Sequence, residues 1–323
     1  MPLHPKIKAG LQFAEALPRV DQLSPEAARV QLRDLWLSVP KKQPPPPLAK
    51  VEDRTISVGA NEIPIRVYTP VGSGPFPIVT FIHGGGFVLG DLESYDDLCR
   101  RIAGLVQAVV IAPEYRLAPE HKYPAAIDDC VSTIIWSCEN ASELNALGSQ
   151  CAVAGDSAGG NLALMCALRL RDRNFLRAQL LMYPVTDHYS GDFVSYREFA
   201  EGFGLTASEM RWFWDHYLAE ECAEGRQYAS PLRAESCAGL PATLLVSAEC
   251  DVLRDEGEAM ANRLASEGVD VTLQRAMGMN HGFFMLAGAL PEAAAFLDEA
   301  CAWLRSALTN QPRDALFRDR QAT

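Results

Sequence analysis

Apolar and polar positions along this chain change rhythm repeatedly, and each change marks an element. Leu11, Phe13, Ala16, Leu17, Leu32, Leu35 and Trp36 are spaced as on one or two short amphipathic helices. Ser24–Pro25–Glu26 offers a cap, a first-turn proline and a first-turn acid, so a helix is expected to begin there. Pro44–Pro47 read as a stiff, extended connector. Beyond it, Thr55–Val58 and Ile63–Tyr68 read as short strands around a polar turn. Compact apolar runs follow at Pro77–Ile82, Val109–Ala112, Cys151–Ala154, Gln179–Tyr183, Thr243–Ser247 and Val269–Leu273, each a strand candidate. Helical spacing occupies Ala125–Cys138, Ala158–Leu170, Arg254–Ser266 and Ala289–Leu308.

Strands alternating with helices of this length predict an α/β protein whose mostly parallel sheet is covered on both faces. His188–Pro231 breaks the alternation: it is long, rich in aromatic and acidic residues, and helical around Glu209–Tyr217. A helical insertion above the sheet accounts for it, packed with the N-terminal helices as a cap. The expected division is residues 1–48 and 188–230 as cap, with 49–187 and 231–323 as core.

Composition narrows the function. At 48% hydrophobic and 22% charged, the 323-residue chain can bury a large core. A net charge of -12 and a pI near 5.0 oppose binding to phosphate backbones and anionic lipid. The nine cysteines are odd in number, widely spaced and without a C-x-x-C pair, so no zinc site is expected. Buried free thiols in a reducing cytoplasm fit better. MPLHPKIKAG lacks the apolar run of a signal peptide, and no long apolar span occurs, so membrane insertion is not expected.

The chemistry concentrates in two glycine-rich loops. Gly155–Asp156–Ser157–Ala158–Gly159 stands between a strand and a helix, where a sharp turn presents a serine hydroxyl above the sheet. His83–Gly84–Gly85–Gly86–Phe87 directly follows another buried strand. Its glycines can aim amide donors inward without side-chain obstruction. Acyl transfer needs such donors at the oxygen that becomes negative, and losing one typically costs about 3–4 kcal/mol. Two donors are assigned to this loop and one to Ala158. His83 is read as ordering the loop rather than as a base.

A serine hydroxyl needs a neighbouring base. Of the six histidines, His281 in GMNHGFF lies where a late loop can return over the sheet edge. A carboxylate must then hold the far imidazole nitrogen. Asp251, just after the strand TLLVS, is the candidate, with Asp255 and Glu249 as rivals. Leu205, Met210, Phe213, Trp214 and Phe87 are candidates for an apolar substrate pocket, although core packing explains the first four equally well.

With HGGG, GDSAGG, DVLRDE and HGF in this order, the chain closely resembles the hormone-sensitive-lipase-like esterases, bacterial family IV. The match runs from about Phe81 to Phe283 and includes EYRLAPEHKYPAAIDD at 114–129 and EGFGLTASEMRWFWDHYL at 201–218. It is poorest over residues 1–50. The chain order Ser157, Asp251, His281 is that of α/β hydrolases. The resemblance implies the α/β-hydrolase fold with a helical cap, and Ser157 as nucleophile, Asp251 as acid and His281 as base. It further implies oxyanion donors from Gly85, Gly86 and Ala158, with Gly84 shaping the turn. It implies a cofactor-free carboxylesterase for short to medium acyl chains, acting on a small ester, and often a homodimer. A same-fold amidase or lactonase, or a non-catalytic binding member, is the alternative. Asn280 and Cys250 stand where the family commonly has an apolar and an aromatic residue.

Overall fold

A computed structural model of the chain describes residues 3–14, 16–58, 61–219, 227 and 229–309. Among them one eight-stranded sheet runs in the order β1-β2-β4-β3-β5-β6-β7-β8. Its strands are β1 (Leu48–Val58), β2 (Asn61–Pro70), β3 (Phe76–Ile82), β4 (Val109–Pro113), β5 (Ala146–Asp156), β6 (Leu176–Met182), β7 (Ala242–Cys250) and β8 (Val271–Asn280). The β1–β2 and β2–β4 pairs are antiparallel, and every pair from β4 through β3 to β8 is parallel. The run PIVTFI is buried at every position because helices cover both sheet faces.

Alternate strand residues feed cores on opposite faces of the sheet. Val79, Phe81, Val110, Ala152, Leu180 and Leu244 pack with α3 (Leu92–Val106) and with the final helix, Pro291–Thr309. Ile82, Val153, Leu181 and Leu245 pack on the other face with α4 (Ala125–Glu139), α5 (Ala158–Leu170) and the helix Arg254–Ser266. The alternation follows the period of 2 along each pleated strand, and a third cluster, with Ile65, Ile78, Val109 and Ile111, fills the β1–β2 end of the sheet.

Two helices precede the sheet, α1 (Pro5–Ala14) and α2 (Pro25–Ser38). The cap forms at α2 as its letters predict, with Ser24 Oγ accepting from the Ala27 amide and Pro25 at the first position. Helix α1 begins earlier than the apolar spacing indicates, and Phe13 is 70% exposed. The segment after β6 carries a short helix, α6 (Ser195–Glu198), and then α7 (Ala207–Tyr217). Helices α8 (Arg254–Ser266) and α9 (Pro291–Thr309) follow β7 and β8.

Helix α3 has no counterpart in the expectations above. Its buried face includes Arg101, neutralised by Asp97 at 2.7 Å, so the apolar stripe is interrupted by a charge. Its left-handed C-terminal residue is Gln107 rather than glycine, which hides the stop signal. The eight cysteines within the described residues are free thiols, and Cys222 lies outside them. No helix among the described residues is long and apolar enough to cross a membrane.

Candidate active site

All the chemically distinctive residues meet at the carboxyl ends of the parallel strands, where open α/β sheets place their ligands. Ser157 follows β5, the HGGG loop follows β3, Asp251 follows β7 and His281 follows β8. The chain turns at Ser157 with φ 54° and ψ -122°, outside the regions open to most residues. The turn is held by neighbours: the Ser157 amide donates to the Met182 carbonyl at 2.8 Å, and Val185 N donates to the Ser157 carbonyl at 3.1 Å. Gly159 makes it sterically feasible, because a Cβ there would overlap the Ile82 carbonyl oxygen.

The serine hydroxyl lies 2.8 Å from His281 Nε2, and His281 Nδ1 lies 2.7 Å from Asp251 Oδ2. A carboxylate against Nδ1 fixes the imidazole with its proton there, so Nε2 is free to accept from the serine. The Asp251 side chain is fully buried and His281 is 14% exposed. Asp251 Oδ1 also accepts from the Leu253 amide at 3.0 Å, which locks the carboxylate plane. The rival carboxylates are engaged elsewhere. Asp255 accepts from the Ser195 amide at 2.8 Å, and Glu249 from the Gly278 amide at 2.6 Å. Tyr183 packs against His281 at 4.8 Å between rings.

The HGGG loop approaches from the β3 side. Gly85 and Gly86 have φ of 109° and 62°, and a Cβ on Gly86 would overlap the Phe213 ring. Among the described residues, none accepts a hydrogen bond from the amides of Gly85, Gly86 or Ala158. Three unspent donors beside Ser157 are what a developing oxyanion requires. His83 is buried, donates Nδ1–H to the Gly84 carbonyl at 2.8 Å, and stacks on Tyr115 at 4.3 Å. Burial pulls its imidazole down to about 4, so it stays neutral and unsuited to general-base work near neutral pH.

Asp156, letter x of the serine motif, has a part that the motif alone does not disclose. Its Oδ1 accepts from the Gly84 amide at 2.8 Å and its Oδ2 from the Tyr95 hydroxyl at 3.1 Å. It therefore ties the serine turn to the glycine loop. Burial raises its carboxyl to about 6, with the Gly84 and Tyr95 hydrogen bonds opposing the rise. Tyr115 adds a second tie, its hydroxyl donating to the His83 carbonyl at 2.9 Å. Tyr95 lies in no recognised motif and Tyr115 stands in the stretch EYRLAPEHKYPAAIDD without an assigned role, because contact across the fold is what defines the part each plays.

A cavity of about 500 Å³ opens above Ser157 and His281. Leu205, Met210 and Phe213 line it, together with Leu11, Leu17, Leu32, Leu35 and Trp36 from the N-terminal segment. Phe87 and Trp214, also expected at the pocket, are not among its lining residues. Phe87 turns inward at φ 67° and stacks on Tyr217 at 3.9 Å, with Trp214 at 5.6 Å. Both are consumed by packing beneath the cavity wall. Two other histidines are engaged elsewhere: His188 Nδ1 lies 2.8 Å from the Ser190 hydroxyl, and His216 donates to the Trp212 carbonyl at 2.8 Å.

A mostly parallel sheet with a serine turn after its fifth strand is the architecture of an α/β hydrolase. A family model of the alpha/beta hydrolase fold matches residues 79–285. The chain is 38% identical over 291 residues to the carboxylic ester hydrolase LipN of Mycobacterium tuberculosis, covering 88% of this chain and 76% of that protein. It is 33% identical over 306 residues to an ethyl acetate hydrolase of Pseudomonas putida, covering 91% and 95%. The crystal structure of a thermostable esterase from Pseudomonas putida ECU1011 superposes with a TM-score of 0.88 at 37% identity, covering 95% of this chain and 98% of that one. The chain belongs to the hormone-sensitive-lipase-like carboxylesterases of the α/β-hydrolase superfamily.

Proposed function

We propose that this protein hydrolyses short- to medium-chain carboxylic esters by two successive acyl transfers through Ser157. His281 Nε2 takes the hydroxyl proton as Ser157 Oγ attacks the ester carbonyl carbon. Asp251 holds the Nδ1 proton and stabilises the imidazolium that forms. The amides of Gly85, Gly86 and Ala158 receive the oxyanion. Collapse of the tetrahedral species breaks the carbon–oxygen bond, and His281 protonates the departing alcohol. Water, deprotonated by the same histidine, then attacks the acyl-enzyme and releases the acid.

The observation that carries this reading is the unbroken hydrogen-bonded series Ser157–His281–Asp251, at 2.8 and 2.7 Å, on the floor of a largely apolar cavity. About 500 Å³ sits within the usual range for small-molecule pockets and suits a short or medium acyl chain. In the same reading residues 1–48 and 188–230 act as the cap over a core formed by 49–187 and 231–323, of which 1–2, 15, 59–60, 220–226, 228 and 310–323 lie outside the described residues. Support comes from α1, α2 and α7, which contribute cavity walls while the reactive groups come from strand ends. A cytoplasmic location and a homodimer belong to this proposal too, the first supported by the free thiols and the second by the family resemblance.

The test is hydrolysis of p-nitrophenyl acetate, butyrate, octanoate and palmitate by purified protein beside Ser157→Ala. Greatest activity between butyrate and octanoate, abolished in the variant, is the expected result. Greatest activity on palmitate, or turnover that survives Ser157→Ala, would overturn it.

A further inference from the structure

On the ester-hydrolysis reading, three directions leave the carbon bonded to Ser157 Oγ, and the site assigns them differently. One oxygen faces the Gly85, Gly86 and Ala158 amides. The leaving oxygen must come within about 2.6–3.2 Å of His281 Nε2 to receive its proton. The alcohol group therefore extends along the His281 side of the cavity, and the acyl chain takes the remaining direction.

Different aromatic rings stand over the two sides. Phe213 covers the oxyanion loop, its ring filling the space where a Cβ on Gly86 would lie. Trp36 stands at the histidine side. A Cβ on Gly282, the residue after His281, would sit 3.6 Å from two carbons of the Trp36 six-membered ring, ordinary van der Waals contact. Trp36 also lines the cavity and is half-buried. Asn280, held by its amide on the Phe203 carbonyl at 3.0 Å, and Met285, an unbranched and adaptable thioether, also line the cavity but are smaller in cross-section than the indole.

Helix α2 holds this ring in place from its other end. Arg29, Leu32 and Trp36 recur at helical spacing along one face. Arg29 donates to the Val88 and Ala118 carbonyls, both at 2.8 Å, and to both Glu120 carboxylate oxygens at 2.8 and 2.6 Å. Val88 lies two residues past Gly86, so the helix is clamped to the same loop that supplies the oxyanion donors. The ring two turns further along α2 is consequently a fixed wall.

We infer that Trp36 is a specificity-determining residue that bounds the space for the leaving alcohol and leaves acyl-chain preference to other walls. The inference rests on the proposed ester hydrolysis. Trp36→Ala and Trp36→Phe would be compared with the unaltered protein on two series. One holds the acyl group as acetate and varies the alcohol through ethyl, butyl, benzyl and cyclohexyl. The other holds p-nitrophenol and varies the acyl group from acetate to octanoate.

The expected result is that kcat/KM for cyclohexyl relative to ethyl acetate rises about tenfold or more in Trp36→Ala, the scale of a methylene-sized change in pocket fit. Trp36→Phe should fall between, and the order of preference along the acyl series should not change. An unchanged alcohol series in folded variants, or a reordered acyl series, would overturn the assignment. Loss of every activity in Trp36→Ala with Trp36→Phe unchanged in ratio would overturn it as well. Failure of the unaltered protein on all esters would instead remove the hydrolysis reading itself.

Discussion

Asp156 joins two loops whose relative position decides whether acyl transfer can occur. It is fully enclosed, and burial raises its carboxyl to about 6 against an ordinary value near 3.9 in an unfolded chain. Between those values the folded protein holds more protons than the unfolded one, so this group's contribution to stability falls as pH rises from about 4 to about 6. Above that window the ionised carboxylate remains a fixed cost, on the order of 3 kcal/mol. Asp156→Asn keeps an oxygen for the Gly84 amide and removes the buried charge. Denaturant unfolding of both proteins at pH 4.5 and pH 7.5 checks the account: the variant should gain on the parent as pH rises. A difference independent of pH would contradict it. The serine motif's glycines and serine were legible as letters, but Asp156 was not, because its partners Gly84 and Tyr95 arrive from other elements.

Among the elements, legibility tracked how cleanly each end is punctuated. Helices α5 and α8 have the bounds their spacing predicts, Ala158–Leu170 and Arg254–Ser266. Helix α3 was lost because a buried Arg101–Asp97 pair stands in its apolar face. Strand β8 runs to Asn280, beyond the expected Leu273, because it lies at the sheet edge and exposes Leu273 and Met277 where a central strand would be buried. Helix α7 illustrates an element whose end matters to the site. Thr206 Oγ1 accepts from the Glu209 amide at 3.2 Å while Glu209 Oε2 accepts from the Thr206 amide at 2.8 Å, a reciprocal cap. Met210 and Phe213 on the following turns face the cavity. Thr206→Ala should cost about 1 kcal/mol of stability. It should also raise KM for p-nitrophenyl butyrate more than it lowers kcat, since it loosens a wall and not the reacting groups. Thermal melting with steady-state kinetics reads both, and a selective fall in kcat would contradict that placement.

At the scale of the whole molecule, the alternation of strands and helices was the strongest sequence signal, and the parallel sheet from β4 to β8 follows from it. The cavity was less legible. Its walls come from α1, α2, α7 and four strand ends, so no local pattern describes it. Packing also reassigns residues that look equivalent in sequence: Phe213 reaches the cavity, whereas Phe87 and Trp214 fill the space behind it. The assembled cavity makes one atom reactive, Ser157 Oγ. Among the described residues Ser157 combines a hydrogen bond to a histidine, three idle amide donors and access from the cavity. The most direct measurement is labelling with diethyl p-nitrophenyl phosphate, followed by mass spectrometry of the intact protein and its peptides. The expected result is release of one equivalent of p-nitrophenol, one diethylphosphoryl group on Ser157 Oγ, and loss of ester hydrolysis in step with labelling. Labelling at another residue, or full ester turnover by protein blocked at Ser157, would contradict it.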